Sequence, residues 1–396
     1  MPGPLAGIRV LDLSAMISGP LATMMLGDQG ADVIKLEAVG IGDVMRYLGT
    51  QRGGVTALYA MSNRSKRGIA VDLKDPDGIA VALDLAASCD VVVQNFRPGA
   101  VDRLGIGYEN VRARHPDVIY VSVAGFGPSG PYAHKPVYDN VIQAYSGAAG
   151  IQIGPNGEPT LLRNLVCDKV TAYQAAQAIT AALFARERGL GGQHIEISML
   201  DAASAFIWTD AAMDIAALAE DSLRSPTIGS VYRATEMADG WITGGAVTDA
   251  QFRGACIALG RPDLADDPRF ATLADRSANI ADLGRELGDA YRSASKADFV
   301  AAAEANDVPV APILSLAEVP EDPQVRHNEV FAVVDHPQLG PLRTARHAAR
   351  YSATPAIDQR DARPSPALGE HTDEILRELG RDESAIADLR ARGVVG

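Results

Sequence analysis

The stretch Ile8-Arg-Val-Leu-Asp-Leu-Ser-Ala-Met-Ile-Ser-Gly-Pro-Leu-Ala-Thr-Met-Met-Leu-Gly-Asp-Gln-Gly-Ala-Asp-Val-Ile-Lys-Leu-Glu37 decides the fold class of this chain. Residues 8–13 are a short apolar strand. Ser18-Gly-Pro20 turns the chain into a helix, and Gly30 ends that helix before a second strand over 31–37. A strand, a helix and a strand within about 30 residues predict a βαβ unit with a right-handed crossover.

The same alternation recurs further along the chain. A helix opens at Asp75 and runs through Ala87, a strand covers 90–93, a short helix lies around 110–114, and a strand covers 118–123. This pattern predicts an α/β fold with a parallel, Rossmann-like sheet and helices on both of its faces. Ligands of such sheets bind at the carboxyl ends of the strands, so the loops that follow the strands are the candidate site.

The length of 396 residues exceeds what one core usually fills and predicts two lobes. Residues 1–225 are the expected N-terminal part of a large domain and include an alternating strand over 193–198 and a long helix over 199–219. After a linker, 231–316 are expected to form a smaller α/β domain. Residues 325–396 close the chain with short strands and a helix for which Thr372 is a candidate cap.

Composition and charge narrow the functional classes. The formal charge of −14 argues against broad binding to nucleic acids or anionic membranes. The three cysteines, Cys89, Cys167 and Cys256, are far apart, have no metal-ligand spacing and suit a reducing compartment. The N-terminus shows no basic segment leading into an apolar one, and no apolar run is long enough to span a bilayer, so a cytoplasmic protein is expected.

Asp168 precedes a run of helix formers, Val170 to Phe184, that a glycine cluster ends. We expect this helix to be buried on most of its surface. A carboxylate at its mouth faces unpaired N–H groups and the positive end of the helix dipole, which favour the ionised form. Asp168 is therefore either a plain N-cap or a carboxylate nucleophile that needs no base. Its neighbour Cys167 has no positioned histidine in the local sequence and is interpreted as a packing residue.

Two other motifs have both a structural and a functional interpretation. Gly125, Gly127 and Gly130 match a dinucleotide-binding pattern, but two prolines remove the N–H groups and the helix that a pyrophosphate needs, so a structural turn is predicted. The segment 62–74 carries several cations. It is interpreted as a solvated loop, with a phosphate clamp as the alternative, whose members would be Arg64, Lys66, Arg67 and Lys74.

Several motifs in register resemble the family III CoA-transferases, also called the CaiB/BaiF family. They cover essentially the whole chain: Pro4 to Leu13 with Ser18-Gly-Pro20, Gly30 to Glu37 with Gly42-Asp43, Asn63 to Lys74, Asn95 to Ala100, Gly125-Phe-Gly127 with Gly130-Pro-Tyr132, Gly191-Gly-Gln193 with Met199-Leu-Asp201, and Leu368 to Asp373.

This resemblance implies that Asp168 is a nucleophile which forms an acyl anhydride and then an aspartyl-CoA thioester. It also implies an interlocked homodimer with the active site between large and small domains. Gly244 and Gly245 match the family's glycine loop and would be a mobile cover. Tyr138 would position the anhydride. CoA and acyl-CoA are substrates, the second substrate is a carboxylate acceptor, and no permanently bound cofactor or metal is expected.

For CoA itself, the resemblance points to Asn95, Phe96 and Arg103 near the adenine and phosphates, with Val71 and Lys74 close by. An aromatic face suits adenine, and cations suit phosphate, although Phe96 is also open to interpretation as a core residue. The family's lysine before Val137 is replaced by Pro136, and Lys135 is a candidate to substitute for it.

Departures from the pattern leave alternatives open. The related 2-methylacyl-CoA racemases carry a histidine where this chain has Tyr138, a poor base for an α-proton, and His134 is a weak substitute. Racemase activity and a CoA-binding protein with little turnover are the alternatives to CoA transfer. Formyl-CoA transferases carry a glutamine and an arginine at the positions of Ile17 and Ala38, so we expect a roomier, less cationic acyl pocket and a monocarboxylate or larger acyl group.

Overall fold

The chain folds into two units in the computed structural model, which describes residues 3–154 and 156–396. The larger unit comprises the chain up to Thr209 together with His327–Gly396, and the smaller unit is Asp210–Arg326. That these units correspond to domains with the predicted boundaries stays a prediction. No helix in the described part of the chain is both long enough and apolar enough to cross a membrane.

The first half of the chain supplies the alternating strands and helices of the larger unit. They are β1 (Arg9–Asp12), α1 (Ser18–Asp28), β2 (Asp32–Glu37), β3 (Gln51–Arg52), β4 (Val55–Thr56), α2 (Ala57–Asn63), β5 (Lys66–Ala70), α3 (Pro76–Ala87), β6 (Val91–Gln94), α4 (Ala100–Leu104), α5 (Tyr108–Arg114), β7 (Ile119–Ala124), α6 (Asp139–Tyr145), α7 (Val166–Ala185), β8 (Gln193–Ser198) and α8 (Met199–Ala211).

The second half supplies the smaller unit and the C-terminal segment. The elements are β9 (Ala234–Met237), β10 (Gly240–Gly244), α9 (Asp249–Ala258), α10 (Pro262–Ala265), α11 (Leu273–Ala278), α12 (Ile280–Ser293), α13 (Lys296–Glu304), β11 (Val310–Pro312), α14 (Pro323–His327), β12 (Phe331–His336), β13 (Gly340–Ala345), α15 (Thr372–Glu378) and α16 (Glu383–Ala391).

A six-stranded parallel sheet in the order β5-β2-β1-β6-β7-β8 organises the larger unit. The predicted α/β fold with a parallel sheet is confirmed. Strand β1 pairs with β2 on one side and with β6 on the other, with Val10 opposite Val33 and Val91. The strand order reverses between β1 and β6, so their carboxyl ends border the crevice where such sheets bind ligands.

Alternate strand residues feed two cores on opposite faces of the sheet. Leu11 packs into one core, which also receives apolar residues of α3, α15 and α16. Its neighbour Val10 packs into the other core, against α1 and α7. The C-terminal segment therefore covers part of one face, and the long helix α7 covers part of the other.

The smaller unit has a three-stranded antiparallel sheet in the order β11-β10-β9. Apolar residues of α9, α13 and the sheet form one core, centred on Ile242 and Phe299. A second cluster around Phe252 and Phe270 involves α9, α10 and α12. Thr248 caps α9: its hydroxyl accepts a hydrogen bond from the Gln251 N–H and completes a capping box at the start of the helix.

Several local predictions were wrong. Helix α7 begins at Val166, so Asp168 is its third residue and not its N-cap. One face of α7 is exposed in the single chain, with Tyr173 at 63% and Phe184 at 64% exposure, so burial on most of its surface does not hold. Helix α8 ends at Ala211, short of the expected 219. Thr372 begins α15 rather than capping it, and its hydroxyl accepts a hydrogen bond from the Ala70 N–H at 3.2 Å.

Candidate active site

The loop after β1 delivers Ser18 to the crevice at the start of α1. It is held by buried groups: the Lys35 ammonium donates to the Ser14 carbonyl at 2.8 Å, and Asp43 accepts a hydrogen bond from the Met16 N–H at 3.1 Å. Met16 has a φ of 65°, a left-handed conformation that is uncommon for a residue with a Cβ. A side chain at position 19 would meet the Ser14 hydroxyl at 2.2 Å, so glycine is required there.

Asp168 lies opposite this loop, in the first turn of α7. Its carboxylate Oδ1 accepts a hydrogen bond from the Ser18 hydroxyl at 2.8 Å. Its backbone N–H donates to Oδ1 of Asp139 at 2.9 Å, and Asp139 in turn accepts from the Gln143 amide at 2.6 Å. Asp139 is only 3% exposed. Contacts from α1 and α6 thus position both the side chain and the backbone of Asp168.

The electrostatics of Asp168 differ from the sequence-based expectation. Burial raises its pKa to about 6, the hydrogen bond from Ser18 works in the opposite direction, and the charge of Asp139 adds to the rise. The helix dipole does not keep the pKa low, because loss of water and a second carboxylate outweigh it. The group is still mostly ionised at pH 7, and a raised pKa is typical of carboxylates that do chemistry.

Asp168 lines a cleft of about 280 Å³ at the carboxyl ends of β1, β6 and β7. Of the site residues predicted from the sequence, the cleft brings together Asp168, Tyr138, Asn95, Phe96 and Lys135. The remaining lining side chains include residues of the first loop and of the loops after β6 and β7: Met16, Ser18, Arg97, Pro98, Val123, Ala124, Ala133, Pro136, Val137 and Met199.

Two of the predicted groups make polar contacts within the single chain, and a third is exposed to solvent. Both polar atoms of the Asn95 amide bond to the backbone of Ala15, at 2.9 and 2.7 Å, and join the loops after β1 and β6. The Lys135 ammonium donates to the Tyr145 hydroxyl and lies 4.5 Å from the centre of the Tyr132 ring. Tyr138 is 70% exposed at the start of α6, so its hydroxyl is free to meet a substrate.

Three of the predicted CoA contacts, Val71, Lys74 and Arg103, do not line this cleft, whereas Phe96 does. Val71 is fully buried and forms a backbone bridge with Val395, so its side chain offers no wall to a ligand. Lys74 and Arg103 are exposed, Lys74 after β5 and Arg103 on α4. Phe96 is half-buried: it packs against the core beside α3 and α15 and still lines the cleft. Phe96 therefore contacts the core, as one interpretation predicted, and also lines the cleft, as the other required.

The cationic segment 62–74 is neither a solvated loop nor a phosphate clamp. Most of it belongs to α2 and the buried strand β5. Arg64 pairs with Asp28, Arg67 pairs with Asp32 and with two glutamates of α15, and the Lys66 ammonium lies 2.8 Å from Asp12. These cations are neutralised by carboxylates inside the protein, so of the four expected members Lys74 alone is left facing solvent.

The structure also bears on the interpretations of Ile17 and Cys167. Ile17 is buried beside Met45, Val55 and Tyr59, so it does not shape an acyl pocket as expected. Burial raises the pKa of the Cys167 thiol to about 12, so the thiol stays protonated and is a poor nucleophile.

The glycine motif after β7 is a turn with positive φ angles of 96° at Gly127 and 95° at Gly130. It leads into no helix: α6, the next helix, begins at Asp139. This geometry agrees with the predicted structural turn.

Gly244 and Gly245 belong to the smaller unit, where Gly244 pairs with Val310 at the end of β10. A Cβ at Gly244 would lie 2.6 Å from the Pro309 carbonyl, and the Gly245 N–H donates to that carbonyl at 3.3 Å. Close approach of two backbones therefore explains one of the glycines. Their role as a mobile cover stays a prediction.

Sequence reasoning missed Ser18, Asp139 and Arg97 as members of the site. Ser18 was noted only within a Ser-Gly-Pro motif and Arg97 only within the motif Asn95 to Ala100, and Asp139 was not singled out. The available signal was position: Ser18 begins the helix after β1, Arg97 lies in the loop after β6, and Asp139 begins the helix after β7. These segments follow the carboxyl ends of the strands, where ligands bind. Distance along the chain concealed the link, since Ser18 and Asp168 are 150 residues apart.

Comparison with known proteins identifies the family of this chain. The model of CoA-transferase family III matches residues 5–372. The chain belongs to CoA-transferase family III. It is 36% identical to the human succinyl-CoA:glutarate CoA-transferase over 396 residues, which cover 99% of this chain and 90% of the human protein.

Two further relatives agree with this assignment. A succinate–glutarate CoA-transferase from Agrobacterium fabrum is 36% identical over 387 residues, covering 95% of this chain and 96% of that protein. The crystal structure of a CaiB/BaiF family protein from Brucella suis matches with a TM-score of 0.86 and 32% identity, covering 96% of this chain and 100% of that one. The resemblance seen in the sequence is confirmed, and this family III chain is a CoA-transferase.

Proposed function

We propose that the protein is an acyl-CoA:carboxylate CoA-transferase that uses Asp168 as a covalent nucleophile. The observation that carries the proposal is the environment of this carboxylate in the cleft. It is positioned by Ser18 and Asp139, has a pKa raised to about 6 and lines an open cleft. A desolvated but ionised carboxylate is a stronger nucleophile than a solvated one, and it needs no base.

In the first step, Asp168 attacks the thioester carbonyl of the donor acyl-CoA. Because Oδ1 accepts a hydrogen bond from the Ser18 hydroxyl, the other carboxylate oxygen, Oδ2, is the attacking atom. The tetrahedral intermediate expels CoA thiolate and leaves an acyl-aspartyl anhydride. The thiolate then attacks Cγ of Asp168, which forms an aspartyl-CoA thioester and releases the donor acid as a carboxylate.

The acceptor carboxylate completes the cycle by the same steps in reverse. It attacks Cγ of the aspartyl-CoA thioester and forms a new anhydride, and the thiolate attacks the acceptor's carbonyl to give the new acyl-CoA. Asp168 returns as a carboxylate in which one oxygen comes from the acceptor. The anhydride retains the energy of the thioester, so no further energy source is required.

For CoA, we propose Asn95, Phe96 and Lys135 at the cleft, with Lys74 and Arg103 outside it as phosphate partners. The aromatic face of Phe96 suits the adenine or the pantetheine arm, and the cations suit phosphate. Arg97 lines the same cleft and adds a second cation. These assignments rest on the family resemblance and on the exposure of the groups.

The acid substrates are proposed from the relatives. The buried position of Ile17 removes one of the two grounds for expecting a monocarboxylate, and the other, Ala38, is exposed. The names of the human and Agrobacterium relatives specify succinate and glutarate, and Arg97 and Lys135 offer positive charge in the cleft for a second carboxylate. We therefore propose a dicarboxylate pair as the first to test, with a monocarboxylyl-CoA as the comparison.

We also propose the homodimer that the family resemblance implies. Large apolar side chains on α7 and α8, among them Tyr173, Phe184, Phe206 and Trp208, are more than half exposed in the single chain. An exposed apolar patch of this kind is typical of an interface. Sedimentation equilibrium would give twice the chain mass of 41.6 kDa if the proposal holds.

The deciding test is intact-protein mass spectrometry after rapid mixing with succinyl-CoA, quenched in acid or with hydroxylamine. The native chain is expected to carry an acyl or CoA adduct that maps to Asp168. Asp168→Ala should carry none and lose on the order of 10⁴-fold or more in turnover. Asp201→Asn, at an exposed carboxylate on α8, is the matched control and should behave as the native chain.

Other results would support the alternatives. Exchange of the donor's α-proton with solvent deuterium, without need of an acceptor, would indicate a racemase. Tight CoA binding with no adduct from any donor would indicate a binding protein. After turnover with an ¹⁸O-labelled acceptor, the proposal requires one heavy oxygen at Asp168, which neither alternative produces.

A further inference from the structure

We propose that the Ser18 hydroxyl is a catalytic oxyanion donor for the two tetrahedral intermediates centred on Cγ of Asp168. This inference rests on the proposed covalent function of Asp168 and assigns a role to a residue beside the nucleophile. The Ser18 hydroxyl donates to Oδ1 of Asp168 at 2.8 Å, within the 2.7–3.1 Å range of effective oxyanion donors.

The two carboxylate oxygens of Asp168 have different surroundings, and this difference determines which of them attacks the donor. Oδ1 is bonded to Ser18, so Oδ2 attacks the donor thioester and becomes the bridging oxygen of the anhydride. Oδ1 then becomes the carbonyl oxygen of the aspartyl group. When the CoA thiolate forms its bond to Cγ, the carbonyl electron pair moves onto Oδ1, next to the Ser18 hydroxyl.

This tetrahedral intermediate then collapses and releases the donor acid. The electron pair returns from Oδ1 to re-form the carbonyl, the bond between Cγ and Oδ2 breaks, and the donor acid leaves with Oδ2 as one of its carboxylate oxygens. The acceptor's attack on the aspartyl-CoA thioester again places negative charge on Oδ1, and thiolate leaves. No proton has to be transferred in either step, so a hydroxyl that only donates a hydrogen bond is sufficient.

The position of Ser18 on α1 adds to this role. Ser18 is the first residue of an eleven-residue helix, and Leu21 is the first residue whose N–H bonds within it, to the Ile17 carbonyl at 2.9 Å. The N–H groups of Ser18 and Gly19 thus stay outside the helical ladder, and the positive end of the helix dipole lies at the hydroxyl. The positive end of the dipole favours a developing negative charge on Oδ1, which accepts the hydrogen bond from this hydroxyl.

Rigidity distinguishes this hydroxyl from a surface serine. Ser18 is 4% exposed, and the preceding loop is held by the buried ammonium of Lys35 and by Asp43. A donor that is already in place needs no reorganisation when the charge forms, which is the condition for efficient electrostatic stabilisation.

The charged groups around Asp168 do not provide the same interaction. Asp139 on α6 contacts the backbone N–H and repels a developing negative charge, and Lys169 on α7 donates to Asn164. Arg97, Lys135 and Tyr138 line the cleft on the substrate side. Among the described side chains, Ser18 is the hydrogen-bond donor recorded at Oδ1.

The test measures how the covalent adducts partition. With succinyl-CoA and no acceptor, the first step yields the acyl adduct and the second converts it into the CoA adduct. Ser18→Ala should leave formation of the acyl adduct intact and slow its conversion, so the early ratio of CoA adduct to acyl adduct falls at least tenfold. Turnover should fall on the order of 10²-fold, the usual effect of losing one oxyanion donor.

Two further variants separate catalysis from structure. Ser18→Thr keeps a hydroxyl at the same position and should keep most of the native adduct ratio. Thr23→Val removes a buried hydroxyl from the same helix, where it bonds Asp12 at 2.8 Å and not Asp168, and should leave the ratio native even if it lowers stability.

A Ser18→Ala protein with a native adduct ratio and native turnover would overturn the inference while leaving the covalent function intact. An equal fall in the ratio for Thr23→Val would also overturn it, because loss of helix stability would then explain the effect. Absence of any adduct in the native chain would instead overturn the proposed function itself.

Discussion

Two carboxylates near the carboxyl edge of the sheet, the fully buried Asp12 and the partly buried Asp168, have opposite electrostatic environments. Burial alone would raise the pKa of Asp12, but the ammonium groups of Lys66 and Lys35 and a hydrogen bond from Ser14 hold it well below its usual range. Burial raises the pKa of Asp168 to about 6, and the hydroxyl of Ser18 is the main group that opposes the rise.

The difference lies mainly in the partners, because Asp12 is the more buried of the two and yet has the lower pKa. Asp12 is fully buried and makes a 2.8 Å ion pair with Lys66, whose ammonium also donates to Asn63 and to the Pro20 carbonyl. Asp168 has a neutral donor and a second carboxylate nearby. A carboxylate whose charge is matched by a cation is stable and unreactive, whereas one held by a hydroxyl remains available as a nucleophile.

The pair also shows how the inert carboxylate supports the reactive one. The network of Asp12, Lys66, Lys35 and Asp43 holds the loop and the first turn of α1 that present Ser18. Of the cations that the sequence suggested for phosphate binding, Lys66 therefore helps to build the site rather than bind the substrate.

The largest effect on stability is expected from removing the cation that pairs with Asp12. Lys66→Met leaves a fully buried carboxylate without its ion pair, and the free energy of unfolding should fall by about 3–5 kcal/mol. Urea denaturation of the full chain measures this free energy. Lys169→Met, at an exposed lysine on α7, is the matched control and should stay within about 0.5 kcal/mol of the native chain. Equal stability of the two variants would refute the structural role of the pair.

Removing the charge of Asp168 should act in the opposite direction. The folded pKa of about 6 lies above the ordinary value of 3.8 for an aspartate, so the carboxyl stabilises the fold at low pH, and this contribution is lost as the pH rises through about 6. Asp168→Asn should therefore raise the free energy of unfolding by ~2 kcal/mol at pH 8 and by almost nothing below pH 4.

Thermal unfolding across pH 4 to 8 checks this prediction, with Asp201→Asn as the control that removes an exposed charge. A destabilised Asp168→Asn at pH 8, or a difference from native that does not depend on pH, would show that Asp168 does not carry an unfavourable charge in the folded protein.

The smallest effect concerns Asp139. Its charge raises the pKa of Asp168, so Asp139→Asn should shift the acid limb of the pH profile of kcat/KM to lower pH, by less than about one unit. The asparagine carbonyl is still able to accept the Asp168 N–H. Ser18→Ala should shift the same limb to higher pH, because it removes a hydrogen bond to the ionised form. Shifts in the same direction would contradict the electrostatic account.

Much of the fold was predictable because it depends on local patterns. The βαβ alternation indicated the parallel sheet, and the start of α3 at Pro76 and the strand β8 at Gln193–Ser198 agree closely with expectation. The errors arose where tertiary contacts override local preference. Asp168 sits inside α7 because the helix begins two residues earlier, and Lys66 and Arg67 are buried because carboxylates distant in the chain neutralise them.

The sequence by itself determined the family, the class of fold and the identity of the candidate nucleophile, because each depends on residues in a recognisable order along the chain. The tertiary structure decided which charges are neutralised, which side chains line the cleft, and that Ser18 meets Asp168. Those properties depend on distances of a few ångströms between residues far apart in sequence, and on the loss of water around them, which no local pattern encodes.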